Sequence, residues 1–132
     1  MPKLEGKLTP PGVSAGTVSE TGGARAGTKK PRMSLVPLFA VQAVAKVMTK
    51  GAEKYGENNW QLGMPHSWHV DAALRHLTAV CSGEMIDPES GEEHLAHAAA
   101  DILMCLESRI KNLPSDDLST RAAKVSEKVS DK

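Results

Sequence analysis

Residues 67–111 read SWHVDAALRHLTAVCSGEMIDPESGEEHLAHAAADILMCLESRIK, and the fold turns on how this stretch divides. Apolar residues recur at helical spacing through Val70, Ala73, Leu74, Leu77, Val80 and Cys81, and again through Leu95, Ala98, Ala99, Ile102, Leu106 and Ile110, so two amphipathic helices are expected. Between them Gly83-Glu84-Met85-Ile86-Asp87-Pro88-Glu89-Ser90-Gly91 carries the Gly and Pro of a helix-breaking connection together with three carboxylates. Ser67, after Pro65, is the expected N-cap of the first helix, and Pro114 lies beyond the end of the second. His94, His97 and Asp101 fall within a sector of roughly 60° on a helix of 100° per residue, apart from the leucine face. One side of the second helix is read as core and the other as chemistry.

Working outward, the first helix is expected from Pro37 to Tyr55 with Gly56 as its stop, and Val41, Val44, Ala45 and Met48 form its stripe. All four aromatic residues lie between Phe39 and Trp68. Tyr55 and Trp60 stand among Gly, Asn and Lys, which suits stacking on a nucleobase whose edge is read by amides; capping the core at a helix end is the other reading. Residues 1–32 hold six of the eleven glycines, four of the eight prolines and no aromatic, so they are expected to form a flexible arm. Its basic residues Arg25, Lys29, Lys30 and Arg32 are read as solvated, or as a cover for a bound phosphate. Residues 114–132 form a tail in which Leu118, Ala122, Val125 and Val129 permit a short amphipathic helix capped by Ser115. No strand pattern appears. The organisation expected is therefore an arm (1–32), an all-α domain (33–113) and a tail (114–132), a compact bundle of about four helices.

Composition excludes several classes. The chain of 132 residues has 16 basic and 16 acidic residues, so nothing directs it to nucleic acid or an anionic membrane. It has no apolar run of spanning length and no apolar signal core, and a cytoplasmic location is expected. Cys81 and Cys105 lie within helices at no ligand-like spacing and are read as buried reduced thiols. The helical domain, about 80 residues, is near the lower limit for independent stability, so a homo-oligomer, dimer or tetramer, is expected.

Asp71, His76, Glu84, Asp87, Glu89, His94, His97 and Asp101 are the chemistry-bearing inventory of the two helices and their linker. Carboxylates between bundle helices suit a hard divalent cation, whereas imidazoles suit softer metals, proton transfer or phosphate contact. Asp71 and Arg75, at i, i+4, are read either as part of this set or as a surface pair.

Pro31-Arg32, Leu35-Val36-Pro37, Gly51-Ala52, Lys54-Tyr55-Gly56, Asn59-Trp60, Asp71-Ala72-Ala73-Leu74-Arg75-His76-Leu77, Gly83-Glu84, Asp87, Glu89-Ser90-Gly91 and His94-Leu95-Ala96-His97-Ala98 together resemble the phage dATP/dGTP diphosphohydrolase family. These are the MazZ-type relatives of the all-α MazG nucleotide pyrophosphohydrolases, and the resemblance covers about residues 31–110. It implies an all-α fold and hydrolysis of a purine deoxynucleoside triphosphate to monophosphate and pyrophosphate with Mg²⁺ or Mn²⁺. In phages that replace adenine with 2-aminoadenine, such enzymes supply dGMP. The Glu-x-x-Glu and Glu-x-x-Asp metal motifs of better-known MazG relatives are not intact: only Asp101 stands where the final Asp would, and position 98 is Ala. The roles expected are metal contact by Glu84, Asp87, Asp101 and Asp71, phosphate contact or water activation by His76, His94 and His97, phosphate charge from Lys54 and Arg75, and the base held by Tyr55, Asn59 and Trp60. A nucleotide-sequestering protein without turnover is the alternative.

Overall fold

A computed structural model describes residues 16–26 and 29–119, with the side chains of residues 16, 17, 25 and 26 outside the description. Residues up to Val36 and those from Pro37 onward form two separate units. In the first, β1 (Gly16–Val18) pairs antiparallel with β2 (Ala24–Ala26), Thr17 opposite Arg25. The turn is closed by Ser19, whose carbonyl accepts the Gly22 N–H and whose N–H donates to the Gly23 carbonyl. Strands of three residues are too short to show alternation, which is why this hairpin was not legible. Of the rest of the expected arm, residues 29–32 are exposed, while residues 1–15, 27 and 28 and the side chain of Arg25 lie outside the described residues.

The second unit is all-α. Helix α1 (Leu38–Tyr55) starts after Pro37 and stops where Gly56, at φ 91°, donates its N–H to the Ala52 carbonyl. A 3-10 turn (Asn59–Leu62) leads to α2 (His66–Cys81), which is followed by α3 (His94–Ile110). Helix α2 ends in a Schellman motif: Gly83, at φ 96°, donates to the Val80 carbonyl, and Glu84 donates to that of Ala79. Asn112, at φ 56°, and Leu113 close α3 in the same way on Arg109 and Ser108.

The cap of α2 differs from the expectation. Pro65, not Ser67, occupies the capping position, and Ser67 gives both its N–H (2.9 Å) and its hydroxyl (2.5 Å) to the Asp117 carboxylate. A carboxylate from 50 residues away thus meets the positive end of the helix dipole. The Ser67 hydroxyl, more than any other group, holds the Asp117 carboxyl below its ordinary range. In the tail, Asp116 rather than Ser115 accepts the capping-type bonds, from the N–H groups of Leu118 and Ser119. The helix expected beyond lies mostly outside the described residues.

Helix α2 packs against α3, and α1 packs against α3 more sparingly. Among the described residues Ala73, Ala96, Ala98 and Ala100 are buried, with His66, His69, His94 and Ser108. Most of the apolar residues expected in the core face outward, among them Leu74 (55% exposed), Leu95 (52%), Ile102 (51%), Leu106 (49%) and Ile110 (72%). In α1, Val44 and Met48 are half-buried while Val41 and Ala45 are exposed. Both thiols are free, but Cys81 is exposed rather than buried. Helical periodicity marks a stripe as apolar without saying whether this chain itself covers it. No helix among the described residues is long and apolar enough to cross a membrane.

Candidate active site at the mouth of the α2–α3 hairpin

The connection between α2 and α3 folds back on itself. Ile86 and Glu93 form an isolated antiparallel bridge, bracketed by Asp87 N–H to the Glu92 carbonyl and His94 N–H to the Met85 carbonyl, each 2.8 Å. This miniature hairpin, turned at Gly91 (φ 75°), returns Glu84, Asp87 and Ser90 to the N-terminal turn of α3. His94 and His97 stand there one helical turn apart, and His76 meets them from α2.

Three rings therefore share one place. His76 Nδ1 lies 2.9 Å from His94 Nδ1, and the His76 ring stacks on that of His97 with centroids 4.5 Å apart and planes 7° from parallel. Each outer ring has a carboxylate behind it. His94 Nε2 is 3.3 Å from Glu84 Oε2. His97 Nε2 is 2.7 Å from Ser90 Oγ and 3.4 Å from Asp87 Oδ2. The Ser90 hydroxyl, in turn, donates to Asp87 Oδ2 at 2.9 Å. Burial opposes the depression of the Asp87 carboxyl, but the Ser90 hydroxyl and the Glu89 N–H bring it below its ordinary range. Burial, followed by the neighbouring His97 and His94, lowers the His76 imidazole below its ordinary range and favours its neutral form.

These distances assign protons. His94 Nε2 faces a carboxylate and so carries the hydrogen, which leaves Nδ1 of the neutral ring as an acceptor; His76 Nδ1 must then donate to it. His76 Nε2 is left with its lone pair, and no described residue hydrogen-bonds to it. The geometry is a carboxylate–imidazole–imidazole chain ending in a free basic nitrogen.

The other residues singled out from sequence are distributed around this cluster. Lys54 Nζ lies 5.1 Å above the Tyr55 ring and 3.9 Å from Glu89, so the end of α1 stands beside the acidic loop. Asn59 and Trp60 belong to a turn tied to the other end of α3: Gln61 accepts from Lys111 Nζ at 3.2 Å, and Gly63 abuts Pro114. Lys111 is 14 residues from His97, about 20 Å along a helix. Arg75 and Asp71 are exposed, and no ion pair joins them among the described residues. Arg75 instead acts electrostatically on Asp101 and His76.

Asp101, one turn beyond His97, is half-buried with Oδ2 unpartnered. Burial raises its carboxyl to about 6, against a smaller opposing effect of Arg75. Among the described residues no three His, Cys, Asp or Glu side chains converge as metal ligands. The donors present, Glu84 and Asp87 on the loop and the orphaned Asp101 oxygen, fit an ion held by one or two carboxylates with substrate phosphates and water; they do not form a complete protein cage. Sequence reading did not single out Ser90 or Lys50 as site residues, though the Asp-x-x-Ser spacing of an Asx-type turn was a signal for Ser90.

No solved structure matches the chain. It is 35% identical over 88 residues to a dATP/dGTP diphosphohydrolase of Salmonella phage PMBT28, an alignment covering 67% of this chain and 30% of that relative. The chain thus spans less than a third of the relative's length. The family described as dATP/dGTP diphosphohydrolase, N-terminal, matches residues 20–117. That match takes in all three helices and every residue of the histidine cluster, and the chain belongs to this family.

Proposed function

We propose that this chain hydrolyses purine deoxynucleoside triphosphates, dGTP or dATP, to the monophosphate and pyrophosphate with the help of Mg²⁺ or Mn²⁺, in phage nucleotide-pool or modified-purine metabolism. The observation that carries the reading is the free Nε2 of His76 at the end of the Glu84–His94–His76 chain, in a member of a family described as diphosphohydrolase. In this mechanism His76 Nε2 takes a proton from water as its oxygen attacks phosphorus and the bridging P–O bond between the α- and β-phosphates breaks to release monophosphate and pyrophosphate, and the charge gained by the imidazole pair is balanced by Glu84. His97, oriented by Ser90 and Asp87, contacts a phosphate oxygen. Lys54 and Arg75 supply phosphate charge, and Tyr55, with Asn59 and Trp60 from the far turn, holds the base. Glu84 and Asp87 of the loop, Asp101 or Asp71 would hold the metal, which would supply positive charge against that developing on the phosphates. A purine nucleoside triphosphate is the partner, with no nucleic acid or membrane, and the working form is a homo-oligomer in the host cytoplasm. The incomplete ligand set of the single chain favours one second reading, a protein that sequesters nucleotide without turnover.

Incubation of the purified protein with each nucleoside triphosphate and Mn²⁺ or Mg²⁺, followed by separation of products, tests this. Monophosphate and pyrophosphate from a purine triphosphate, abolished by chelator, are expected. A diphosphate with orthophosphate would exclude the reaction, and tight binding with recovery of unchanged nucleotide would favour sequestration.

A further inference from the structure

Lys50 lies on α1, outside the α2–α3 hairpin, yet its ammonium reaches the loop at its turn. Nζ donates to the Ser90 carbonyl and lies 2.9 Å from Glu92 Oε1, so that one lysine grips both sides of Gly91. Lys50 first of all holds the Glu92 carboxyl below its ordinary range. The loop needs such a tie. None of residues 82–91 is buried, and its other ion pair to α1 among the described residues, Lys54–Glu89, is long at 3.9 Å.

Ser90 is the residue whose placement matters to His97. A hydroxyl has one hydrogen and two lone pairs. Here the hydrogen goes to Asp87 Oδ2 (2.9 Å), one lone pair accepts the Glu92 N–H (3.2 Å), and the other faces His97 Nε2 (2.7 Å). With the hydroxyl hydrogen committed, His97 Nε2 must be the donor, and its Nδ1 carries the lone pair. The tautomer of a ring stacked on His76 is thus set by the placement of the loop that carries Ser90 and Asp87, whose Oδ2 stands 3.4 Å from the same nitrogen.

We propose that Lys50 is a positioning residue for the histidine cluster: by anchoring the Ser90 carbonyl to α1 it keeps the Ser90 hydroxyl between Asp87 and His97 and fixes which nitrogen of His97 carries the hydrogen. Its effect on turnover rests on the hydrolytic reading above, whereas its effect on the tautomer does not.

The test uses the full chain, uniformly labelled with ¹⁵N, at pH 8, above the ordinary histidine range. Long-range ¹H–¹⁵N spectra report the tautomer of each ring. The parent and Lys50→Arg should show His97 as the Nε2–H form, and Lys50→Met should show averaging of both forms. Lys46→Met, one turn away on the same helix, should match the parent. Lys50→Gln, too short to span from α1 to the Ser90 carbonyl, should average the tautomers as Lys50→Met does, and it decides the matter if Lys50→Met does not fold. In turnover of a purine triphosphate, kcat of Lys50→Met should fall roughly tenfold to a hundredfold with KM changed less than about twofold, the mark of lost orientation rather than lost binding. An unchanged His97 tautomer in Lys50→Met, or in Lys50→Gln, would overturn the proposal. A parent protein without turnover would overturn the hydrolytic reading alone, and the spectra would still decide the role of Lys50.

Discussion

Asp101 shows how one residue can be placed correctly on a helix face and misjudged in its surroundings. Its sector with His94 and His97 follows from spacing alone, but the cause of its strain does not. Neighbouring carboxylates raise a carboxyl by like-charge repulsion. The structure gives burial instead, which raises the carboxyl to about 6. A carboxyl whose folded value exceeds its unfolded one favours the folded state below pH 3.8 and loses that advantage as pH rises through 6. Asp101→Asn should therefore stabilise the metal-free protein at pH 8 by about 2 kcal/mol, the full shift being reduced by solvent screening of a half-exposed carboxyl, and leave stability nearly unchanged at pH 4. Denaturant melts at the two values check this; a destabilised variant at pH 8 would show that Asp101 is ionised and paired.

His69 titrates in the opposite sense. It is buried with Nε2 unpartnered, and burial, then His66, lowers its imidazole below the ordinary range. A depressed histidine contributes stability that is present above pH 6.5 and lost as pH falls through the folded value. His69→Gln should flatten the acid limb of a plot of stability against pH between 6.5 and 4. An unaltered slope would count against burial as the cause.

At the scale of elements, the three helices and their stops were legible because Gly56, Gly83 and Pro114 punctuate apolar periodicities. What positions them was not. The Ser67–Asp117 cap joins residues 50 apart and the Lys50–Ser90 tie joins residues 40 apart, and no local pattern encodes either. The connection between α1 and α2 offers a sharp case: Gly63 sits at φ 104°, and a Cβ there would lie 2.9 Å from Pro114 Cγ. Gly63→Ala should cost about 2 kcal/mol through backbone strain and displacement of Pro114. Since Pro114 leads into the Ser115–Asp117 segment that caps α2, the variant should also loosen that cap, seen as faster amide exchange at Ser67. A neutral Gly63→Ala would show that the turn is free to move.

For the molecule as a whole, the apolar faces were read correctly as apolar and wrongly as covered. Among the described residues the buried apolar side chains are four alanines, and Leu74, Leu95, Ile102, Leu106 and Ile110 face outward, an arrangement suited to a second copy. Light scattering should give two or four times the 14.0 kDa chain mass, and Leu106→Glu should reduce it. A monomeric parent would remove association as the cover for these faces. Assembly would also bear on the base: Asn59 and Trp60 stand at the far end of α3 from the histidines of their own chain, so two chains arranged head to tail would bring a turn to a cluster.

In the proposed reaction the imidazole chain ending at His76 Nε2 activates water for release of pyrophosphate. Replacing that nitrogen with an amide that keeps a hydrogen-bonding donor toward His94 tests it most directly: His76→Gln is compared with the parent on dGTP with Mn²⁺, by phosphorus NMR of the products and by circular dichroism of the protein. The account predicts dGMP and pyrophosphate from the parent, and from the variant an unchanged helical spectrum with turnover reduced on the order of a hundredfold or more. Parent-rate turnover by a folded His76→Gln protein, or orthophosphate and dGDP from either, would contradict it.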